Sequence, residues 1–471
     1  MTQSVKMAAD SDTPTFPTDL GSAHPHLLAT LHDRVVGLLV GSALGDAIGL
    51  YTEFLSAASA TAYYPSRRFT LSPTPTPFHQ DMHRLKHELG DWTDDTDHAL
   101  LILLASLHGS SSSSTSRGAV LHLPDPKDFA ARLKTWVEQG LRALDTLPLG
   151  LGNLVGTVVR SPGYVDDPAA TARRVWVERG RRLAPNGSLM RTHPLGALCL
   201  TAPEPAAFAA AARLSRATHV DPRCVLACVV GTGLLRGLLR GEVAAEADID
   251  ALVRRAVDWF RVEREEGGGG GGSGDGDDDR EKLDEAELDR HVTAASLAAL
   301  KLDDVQSIGY VYKALGSGVL LLRMAMRRAA ASDGALLAET GVFEELITDL
   351  IMCGGDADTN ACFAGALLGA FLGYRALPGH WKHGLRHEAW LMGKAEALCR
   401  VLQVANGDYD GQADPDTRPD GGRGFLNMGE MEERFHKRQS EIMLSMFLAK
   451  QQEAKAMKKK ARWSFLGRPG Q

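Results

Sequence analysis

The hydrophobic and polar positions along most of the chain follow a helical period. Apolar blocks of this kind run over residues 129–144, 206–215, 224–239 and 316–328. Alternating patterns typical of half-buried strands are scarce, and aromatic residues make up only 6% of the chain. Both features disfavour a sheet-rich core. The pattern therefore predicts an all-α fold whose helices pack in layers.

Two series of glycines recur at four-residue intervals within apolar segments. They are Gly37, Gly41 and Gly45, and Gly365, Gly369 and Gly373. On a helix, this spacing places the glycines on one face as a smooth ridge. Such a ridge lets two backbones approach closely, which offsets the low helix propensity of glycine. Each series therefore predicts a helix that packs closely against a neighbour.

Polar segments of low complexity divide the chain into regions. Residues 1–30 are predicted to be a disordered leader, and residues 31–407 the main domain. Two insertions interrupt that domain, a serine-rich one near 110–117 and a glycine-rich, acidic one near 265–282. Such compositions bury too little apolar surface to offset the entropy of ordering them. Residues 408–471 are predicted to form a loop followed by a basic helical tail.

The composition is that of a soluble globular chain, with 44% hydrophobic and 24% charged residues and a formal net charge of −7. A modestly acidic chain is not suited to sequence-specific nucleic-acid binding. Six cysteines in apolar contexts do not form a disulfide framework, which favours a reducing compartment. The uncharged apolar stretches fall short of the roughly 20 residues that a bilayer requires. We expect a cytoplasmic monomer without a membrane partner; the basic cluster Lys458–Arg462 leaves a nuclear location as the alternative.

The first acidic motif is the run Trp92-Thr93-Asp94-Asp95-Thr96, which precedes an apolar segment. Thr93 is well placed to cap a helix, and carboxylates in the first turn suit the positive end of a helix dipole. Capping explains one or two of these residues, but adjacent carboxylates repel each other unless a cation lies between them. The motif is therefore a candidate metal site.

A second motif repeats this arrangement, because Asp356, Asp358 and Thr359 follow two glycines at the start of an apolar helix. Each motif alone is more often a helix cap than a metal site. Together they offer oxygen ligands, which favour Mg²⁺, Mn²⁺ or Ca²⁺ over zinc. Two such cations lying close together could clamp an oxygen-rich substrate.

Two further motifs are less specific. Asp46 ends the first glycine-ridge helix, and Glu53 follows seven positions later. The run Asn186-Gly187-Ser188 precedes another apolar helix, where free backbone N–H groups would suit a phosphate. A helix-end role for Asp46 and an ordinary turn at residues 185–187 remain the alternatives.

The four motifs, in this order, resemble the ADP-ribosylglycohydrolase family. This family includes dinitrogenase-reductase-activating glycohydrolase and the ADP-ribosylarginine and ADP-ribosylserine hydrolases. The resemblance covers roughly residues 35–398 and lapses in the insertions and in both tails. It implies an all-α, orthogonal multi-helix domain with a central cleft that holds two metal ions.

The resemblance also implies roles for individual residues. Its metal site would comprise Thr93, Asp94, Asp95, Asp356, Asp358 and Thr359, holding two Mg²⁺ ions per subunit, with Mn²⁺ as the alternative. Glu53, Asp94 and Asp95 are the candidate catalytic carboxylates. The residues expected to bind substrate are Asp46, Asn186, Gly187, Ser188, Leu189, Met190 and His219. Within this set, Asn186 to Met190 would hold the diphosphate, and His219 would line the adenosine side of the pocket.

The implied function is hydrolysis of the glycosidic bond at ribose C1″, which removes ADP-ribose from modified proteins or from small ADP-ribose derivatives. A catalytically silent family member that only binds ADP-ribose, or serves a structural role, is the alternative. A haloacid-dehalogenase-like phosphatase is a lesser one, since Asp356-Ala357-Asp358-Thr359 fits that motif in part. The phosphatase would need a buried strand at residues 346–353. His79, His83 and His87, spaced by four, are interpreted as lying on a loop without a metal.

Overall fold

In the computed structural model of the chain, the structure describes residues 16–17, 20, 23–113, 119–267, 283–331 and 341–466. Most of the predicted leader and nearly all of the glycine-rich insertion lie outside these ranges. The side chains of the basic cluster Lys458–Arg462 are also outside the described part, although the backbone there is helical.

Eighteen α-helices and one two-stranded ladder make up the described secondary structure, apart from short 3-10 turns. The helices are α1 (Pro25–Gly49), α2 (Ala57–Tyr63), α3 (Asp94–His108), α4 (Pro126–Gln139), α5 (Asn153–Val159), α6 (Pro168–Glu178), α7 (Pro194–Leu198), α8 (Glu204–Arg216), α9 (Pro222–Arg240), α10 (Glu246–Gly267), α11 (Glu285–Val292), α12 (Leu297–Leu300), α13 (Val311–Ala331), α14 (Val342–Ile351), α15 (Ala357–Leu372), α16 (Gly379–Lys382), α17 (Glu388–Val401) and α18 (Met428–Leu466). The strands β1 (Ser111–Ser112) and β2 (Tyr409–Asp410) pair antiparallel. The predicted all-α fold is confirmed.

The two glycine series belong to α1 and α15, and these two helices pack against each other. A Cβ atom placed on Gly41 would lie 2.5 Å from the carbonyl oxygen of Gly365, and one on Gly45 would lie 1.9 Å from that of Ala361. Neither distance leaves room for a side chain, so the main chains touch along the contact. The predicted close approach is confirmed, and the two ridges turn out to be each other's partners.

The end of this contact determines where the site forms. Gly49 is the last residue of α1, and a Cβ atom on it would lie 2.3 Å from the Cα atom of Asp358 in the first turn of α15. The C-terminal end of α1 and the N-terminal end of α15 therefore meet. Asp46 on α1 and the second acidic motif are brought to the same region by main-chain packing.

The apolar helices α9 and α13 pack against α15 and against each other, and they complete the central core. By length and composition alone, α1 and α9 are long and apolar enough to cross a membrane. The expectation that every apolar stretch is too short to span a bilayer was therefore wrong for these two helices. The most apolar window is 94% buried inside the fold in α9 and 61% buried in α1. Burial of this kind is what the core helices of a folded domain show.

Several predicted boundaries are corrected by local backbone geometry. Helix α1 begins at Pro25, inside the predicted leader. Helix α4 ends at Gln139, earlier than the pattern suggested, because Gly140 has φ of 79° and lies against the carbonyl of Thr146. Part of the serine-rich insertion forms strand β1. Residues 342–351 are helical, which removes the buried strand that the phosphatase alternative needed.

Helix α18 contacts the domain through its N-terminal part. Arg434 lies 3.2 Å from Asp145, and Arg438 donates to the main-chain carbonyl of Lys86 at 2.5 Å. Further along the helix, the side chains of Met443, Leu444 and Phe447 are exposed. The predicted tail is therefore helical in its backbone from Met428 to Leu466.

Candidate active site

The first acidic motif forms the N-terminal end of α3. Thr93 is the capping residue, and its hydroxyl oxygen lies 3.4 Å from the main-chain nitrogen of Asp95. Asp94 and Asp95 occupy the first helical turn, where the unpaired N–H groups favour negative charge. Both side chains are nevertheless buried. The local sequence thus places two carboxylates side by side where water cannot solvate them fully.

Asp46 reaches this helix end from α1. Its carboxylate accepts hydrogen bonds from the main-chain nitrogens of Thr93 and Thr96, at 3.0 to 3.1 Å, and from the Thr96 hydroxyl at 2.6 Å. Burial raises the pKa of Asp46 to about 6, although these hydrogen bonds oppose the shift. Asp46 therefore acts as a second cap, which ties α1 to the start of α3.

The second acidic motif forms the N-terminal end of α15. Gly354 and Gly355, which precede it, have φ values of 66° and 75° and lie directly against the carbonyl groups of Leu55 and Leu302. Any side chain at these two positions would be strained and would clash. The double glycine therefore allows the turn that directs Asp356 and Asp358 into the site.

The same turn positions Glu53. The main chain of Gly355 exchanges hydrogen bonds with the loop after α1, accepting from the nitrogen of Phe54 at 2.7 Å and donating to the oxygen of Leu55 at 2.9 Å. Glu53 precedes this pair and is 5% exposed. One carboxylate oxygen from each of Glu53, Asp356 and Asp358 lies within 4.8 Å of the other two. Three carboxylates thus converge on one point.

The two motifs are joined by Thr93. Its hydroxyl oxygen lies 3.1 Å from Oδ2 of Asp95 and 3.3 Å from Oδ2 of Asp358, so its single proton can be donated to either carboxylate. The Thr359 hydroxyl is close enough to Asp95 to oppose the rise in the pKa of that carboxyl. The hydroxyl and carboxylate groups of both helix starts therefore share one small volume.

The electrostatics of this cluster call for a cation. Burial, followed by repulsion from neighbouring carboxylates, raises the pKa values of Asp94, Asp95 and Asp358 well above the usual range. The pKa of Asp356 is raised to about 6, first by burial and then by Glu53. Buried ionised carboxylates are costly unless a counter-charge compensates them. A divalent cation would supply that charge and reverse the shifts.

Two buried oxygen atoms indicate where such a cation would bind. Oδ1 of Asp95 and Oδ1 of Asp358 have no hydrogen-bond partner among the described residues. Buried polar atoms are rarely left unpaired. Anionic oxygens without donors are suitable ligands for a hard divalent cation, so the residues present fit Mg²⁺ or Mn²⁺.

A cleft of about 720 Å³ opens beside the cluster. The cleft is lined by Glu53, Asp94, Asp95 and Asp358, together with the loop that follows Leu183 and residues 305–310. This loop and residues 305–310 are joined by a β-bridge between Pro185 and Tyr310. The cleft is large enough for a nucleotide-sized ligand.

The loop at residues 186–190 contacts the acidic cluster directly. Nδ2 of Asn186 donates to Oδ2 of Asp356 at 2.7 Å, while its main-chain nitrogen donates to the carbonyl of Gly309 at 3.0 Å. The main-chain nitrogens of Leu189 and Met190 bond back to the oxygen of Asn186. That of Gly187, which lines the cleft, has no hydrogen-bond partner among the described residues and remains available to an anion.

A sequence profile of the ADP-ribosylglycohydrolase family matches residues 27–408. The chain belongs to this family. Forty-seven chains of solved structures also match. One of them, described as an ADP-ribosylglycohydrolase-related protein complex, is 24% identical, and the match covers 79% of this chain and 99% of that one, with a TM-score of 0.47. Among curated proteins, none matches at a significant level.

Members of the ADP-ribosylglycohydrolase family hydrolyse ADP-ribosylated substrates, and the structure brings most of the expected site residues to one place. Thr93, Asp94, Asp95, Asp356, Asp358 and Thr359 lie at the two facing helix starts. Glu53, which was expected as a catalytic residue, has a carboxylate oxygen within 4.8 Å of oxygens of Asp356 and Asp358 in the second motif. The identity and number of ions remain predictions.

Three residues expected to bind substrate lie behind the cleft. The Asp46 carboxylate is fully engaged with α3, which favours a structural role over direct contact with substrate. The side chains of Ser188 and Leu189 are buried; Ser188 accepts from Ser215 at 3.1 Å, and Leu189 faces Gly231 in the core. Among the predicted substrate residues, Asn186, Gly187, Met190 and His219 line the cleft.

His219 is held by a buried arginine that the sequence did not single out. Its Nδ1 atom lies 2.7 Å from the Thr218 hydroxyl, and Arg191 donates to that hydroxyl at 2.7 Å and to the carbonyl of Gly187 at 3.1 Å. Burial, with a further contribution from Arg191, lowers the pKa of His219 well below its usual range. Arg191 thus joins the predicted diphosphate loop to a neutral histidine.

Gly150 is another residue that the sequence did not indicate. It has φ of 88°, and a Cβ atom there would lie 2.2 Å from Oδ1 of Asp94. Only glycine leaves space for this carboxylate. The isolated glycine between Leu149 and Leu151 carried no signal, because its partner lies in a different part of the chain.

Proposed function

We propose that this protein is a divalent-cation-dependent hydrolase that removes ADP-ribose from modified proteins or from small ADP-ribose derivatives by cleaving the glycosidic bond at ribose C1″. The main supporting observation is the convergence of both acidic motifs and Glu53 beside the cleft, with two unpaired buried carboxylate oxygens. Family membership supports the same reaction class.

The cations would be Mg²⁺, held by the carboxylates of Asp95, Asp356 and Asp358, with Thr93 and Thr359 as neighbouring oxygen donors. When bound, they would supply electrostatic stabilisation and fix vicinal ribose hydroxyls in place. This ligand set includes the unpaired Oδ1 atoms of Asp95 and Asp358. A bound cation would also offset the repulsion between these two carboxylates.

The protein's own residues would orient the substrate and transfer the proton. Glu53 borders both the cluster and the cleft, where its carboxylate can take a proton from the attacking water. Asp94, which lines the same cleft, is the alternative base. The oxocarbenium-like charge at C1″ would be stabilised by the surrounding carboxylates.

The remaining cleft residues suit the nucleotide part of the substrate. The free N–H group of Gly187 can bind a diphosphate oxygen. His219 lies beside Gly187, with a Cβ atom on that glycine falling 3.2 Å from the histidine ring. This proximity supports His219 and Met190 as the residues beside which the adenosine would extend.

A panel of substrates tests the proposal. Arginine-ADP-ribosylated, serine-ADP-ribosylated and poly-ADP-ribosylated proteins would be incubated with the full chain, in Mg²⁺ and in EDTA, and released ADP-ribose measured by chromatography. We expect release from at least one substrate in Mg²⁺ and none in EDTA. No release from any substrate, together with ADP-ribose binding in calorimetry, would instead indicate the silent binding member.

A further inference from the structure

One histidine contacts the acidic cluster, and neither the family resemblance nor the proposed ligand set includes it. Nε2 of His83 lies 2.5 Å from Oε2 of Glu53. Among the described residues, no other hydrogen bond to the Glu53 carboxylate is found. His83 belongs to the series His79, His83 and His87, which the sequence pattern left without a function.

The ring of His83 also contacts a neighbouring aromatic ring. It packs edge-on against the ring of Phe54, with centroids 5.0 Å apart and an interplanar angle of 62°. The main chain of Phe54 is fixed, because it has φ of 58° and its nitrogen donates to Gly355, whereas its side chain is 55% exposed. The ring of His83 is therefore restricted mainly by its hydrogen bond to Glu53, and the contact with Phe54 adds to it.

The residue after His83 holds the main chain of the same glutamate. Arg84 is 2% exposed; its Nε atom donates to the carbonyl of Tyr51 at 2.9 Å, and its guanidinium also donates to the carbonyl of Glu53. Asp81 pairs with that guanidinium from the exposed side. The segment Asp81–Arg84 thus fixes the backbone of Glu53 through Arg84 and its carboxylate through His83.

Glu53 needs this second contact because of its surroundings. Its carboxylate lies within 4.8 Å of those of Asp356 and Asp358, and electrostatic repulsion favours rotamers that move it away from them. Glutamate has three side-chain torsions, so several alternative rotamers exist. A donor at His83 Nε2 offsets the repulsion and selects the rotamer that faces the cleft.

We propose that His83 is a positioning residue for Glu53, holding its carboxylate at the cleft for proton transfer; this role rests on the proposed hydrolase function. His83 has no assigned contact with substrate, and it acts through Glu53. One Glu53 oxygen is engaged by His83, and the other remains available to water.

Three variants of the full chain test this role. His83→Ala removes the donor, and His83→Gln restores an N–H donor of similar reach. His79→Ala is the matched control, because His79 stacks on Tyr63 with ring centroids 3.6 Å apart and does not line the cleft. Thermal unfolding of all three variants would establish that they fold like the wild type.

For His83→Ala, we expect kcat to fall roughly 30-fold with KM changed less than threefold, since misplacing a reacting group by about 1 Å can cost up to 10²-fold in rate. His83→Gln should recover most of the loss, and His79→Ala should match the wild type. Mg²⁺ affinity, measured by calorimetry without substrate, should change less than threefold in every variant. If His83→Ala instead caused a general structural defect, Mg²⁺ affinity would fall and KM would rise. His83→Gln would then not recover the lost activity.

Crystal structures of the wild type and His83→Ala provide a readout that does not depend on turnover. We expect the Glu53 carboxylate to rotate away from Asp356 in the variant and to keep its place in His83→Gln. Unchanged kcat, or a Glu53 carboxylate that stays in place without His83, would overturn the inference. If the wild type itself releases no ADP-ribose, the proposed function fails, and the crystal structures still decide whether His83 positions Glu53.

Discussion

The hydroxyl oxygen of Thr93 lies 3.3 Å from Oδ2 of Asp358, although 265 positions separate the two residues in the chain. This short contact joins the capping residue of α3 to the first turn of α15. It makes two helix starts into one oxygen-rich site, whose carboxylates carry raised pKa values because they are buried together. The predictions below follow from that arrangement.

Replacing Asp358 by asparagine should abolish hydrolysis. The change keeps the size of the side chain but removes a charge and an unpaired oxygen from the cluster, so we expect kcat/KM to fall on the order of 1,000-fold. Mg²⁺ binding, measured by calorimetry, should weaken in parallel. Asp349→Asn is the control, because Asp349 forms an exposed pair with Arg67 at 2.6 Å and surface pairs contribute little. Full activity in Asp358→Asn would contradict the assignment.

Mg²⁺ should stabilise the protein more at pH 8 than at pH 5.5. The folded-state pKa of Asp356 is raised to about 6, and those of Asp95 and Asp358 are raised further. Without a cation, these groups stabilise the fold at low pH, and that stability is lost as the pH rises through about 6. A cation replaces the protons, and at about 100 times its Kd it adds about 2.7 kcal/mol to the free energy of unfolding.

Differential scanning calorimetry at the two pH values, with and without Mg²⁺, checks this expectation. The increase in Tm should be larger at pH 8 and should largely disappear in Asp358→Asn. An equal increase at both pH values, or an equal increase in the variant, would show that the ion acts elsewhere on the protein.

Gly45→Ala should destabilise the fold by about 3 kcal/mol, because the new methyl group would lie 1.9 Å from the Ala361 carbonyl oxygen and would force α1 and α15 apart. Gly393→Ala is the matched control. Gly393 lies within α17 with nothing within 4 Å of an added Cβ atom, and there alanine should stabilise the helix by about 0.5–1 kcal/mol. Urea unfolding measures both changes. Similar effects at the two positions would mean that the helix contact is not tightly packed.

Two substitutions at Asn186 should lower activity to different degrees. Asn186→Ala removes the hydrogen bond to Asp356. A hydrogen bond to a charged group contributes about 1.5–3 kcal/mol, so we expect kcat/KM to fall roughly tenfold or more. Asn186→Asp places a carboxylate against Asp356, so we expect a greater loss from charge repulsion. Steady-state kinetics of both variants test the order. An aspartate variant more active than the alanine variant would contradict this electrostatic account.

The sequence predicted those parts of the structure that rest on local pattern. Helical periodicity predicted α8, α9 and α13, and the two glycine series predicted a close helix contact that α1 and α15 form. The acidic motifs were recognisable because each contains more hydroxyl and carboxylate groups than a helix cap needs. That both motifs form one site could be predicted only by assuming that they meet in the fold. The contact between Thr93 and Asp358 supports that assumption.

Features that depend on distant partners were not predictable. His83 and Arg84 lie at the start of a short 3-10 turn, and their link to Glu53 follows from the way this segment folds over the end of α1. Gly150 carries no local signal for its contact with Asp94. Asp46 and Ser188 were both expected to bind substrate, but Asp46 caps α3 and Ser188 is buried by helix packing.

The glycine contact between α1 and α15 has a consequence for how the protein would acquire its ions. Because Gly49 of α1 packs against the main chain of Asp358, and Asp46 of the same helix caps α3, folding already sets the spacing of the two helix starts that carry the carboxylates. The side chains that would bind the ion are therefore ordered during folding, before any ion binds. We therefore expect ion-free and ion-loaded protein to share the same helix pair, with changes on loading confined to side-chain rotamers around the cleft.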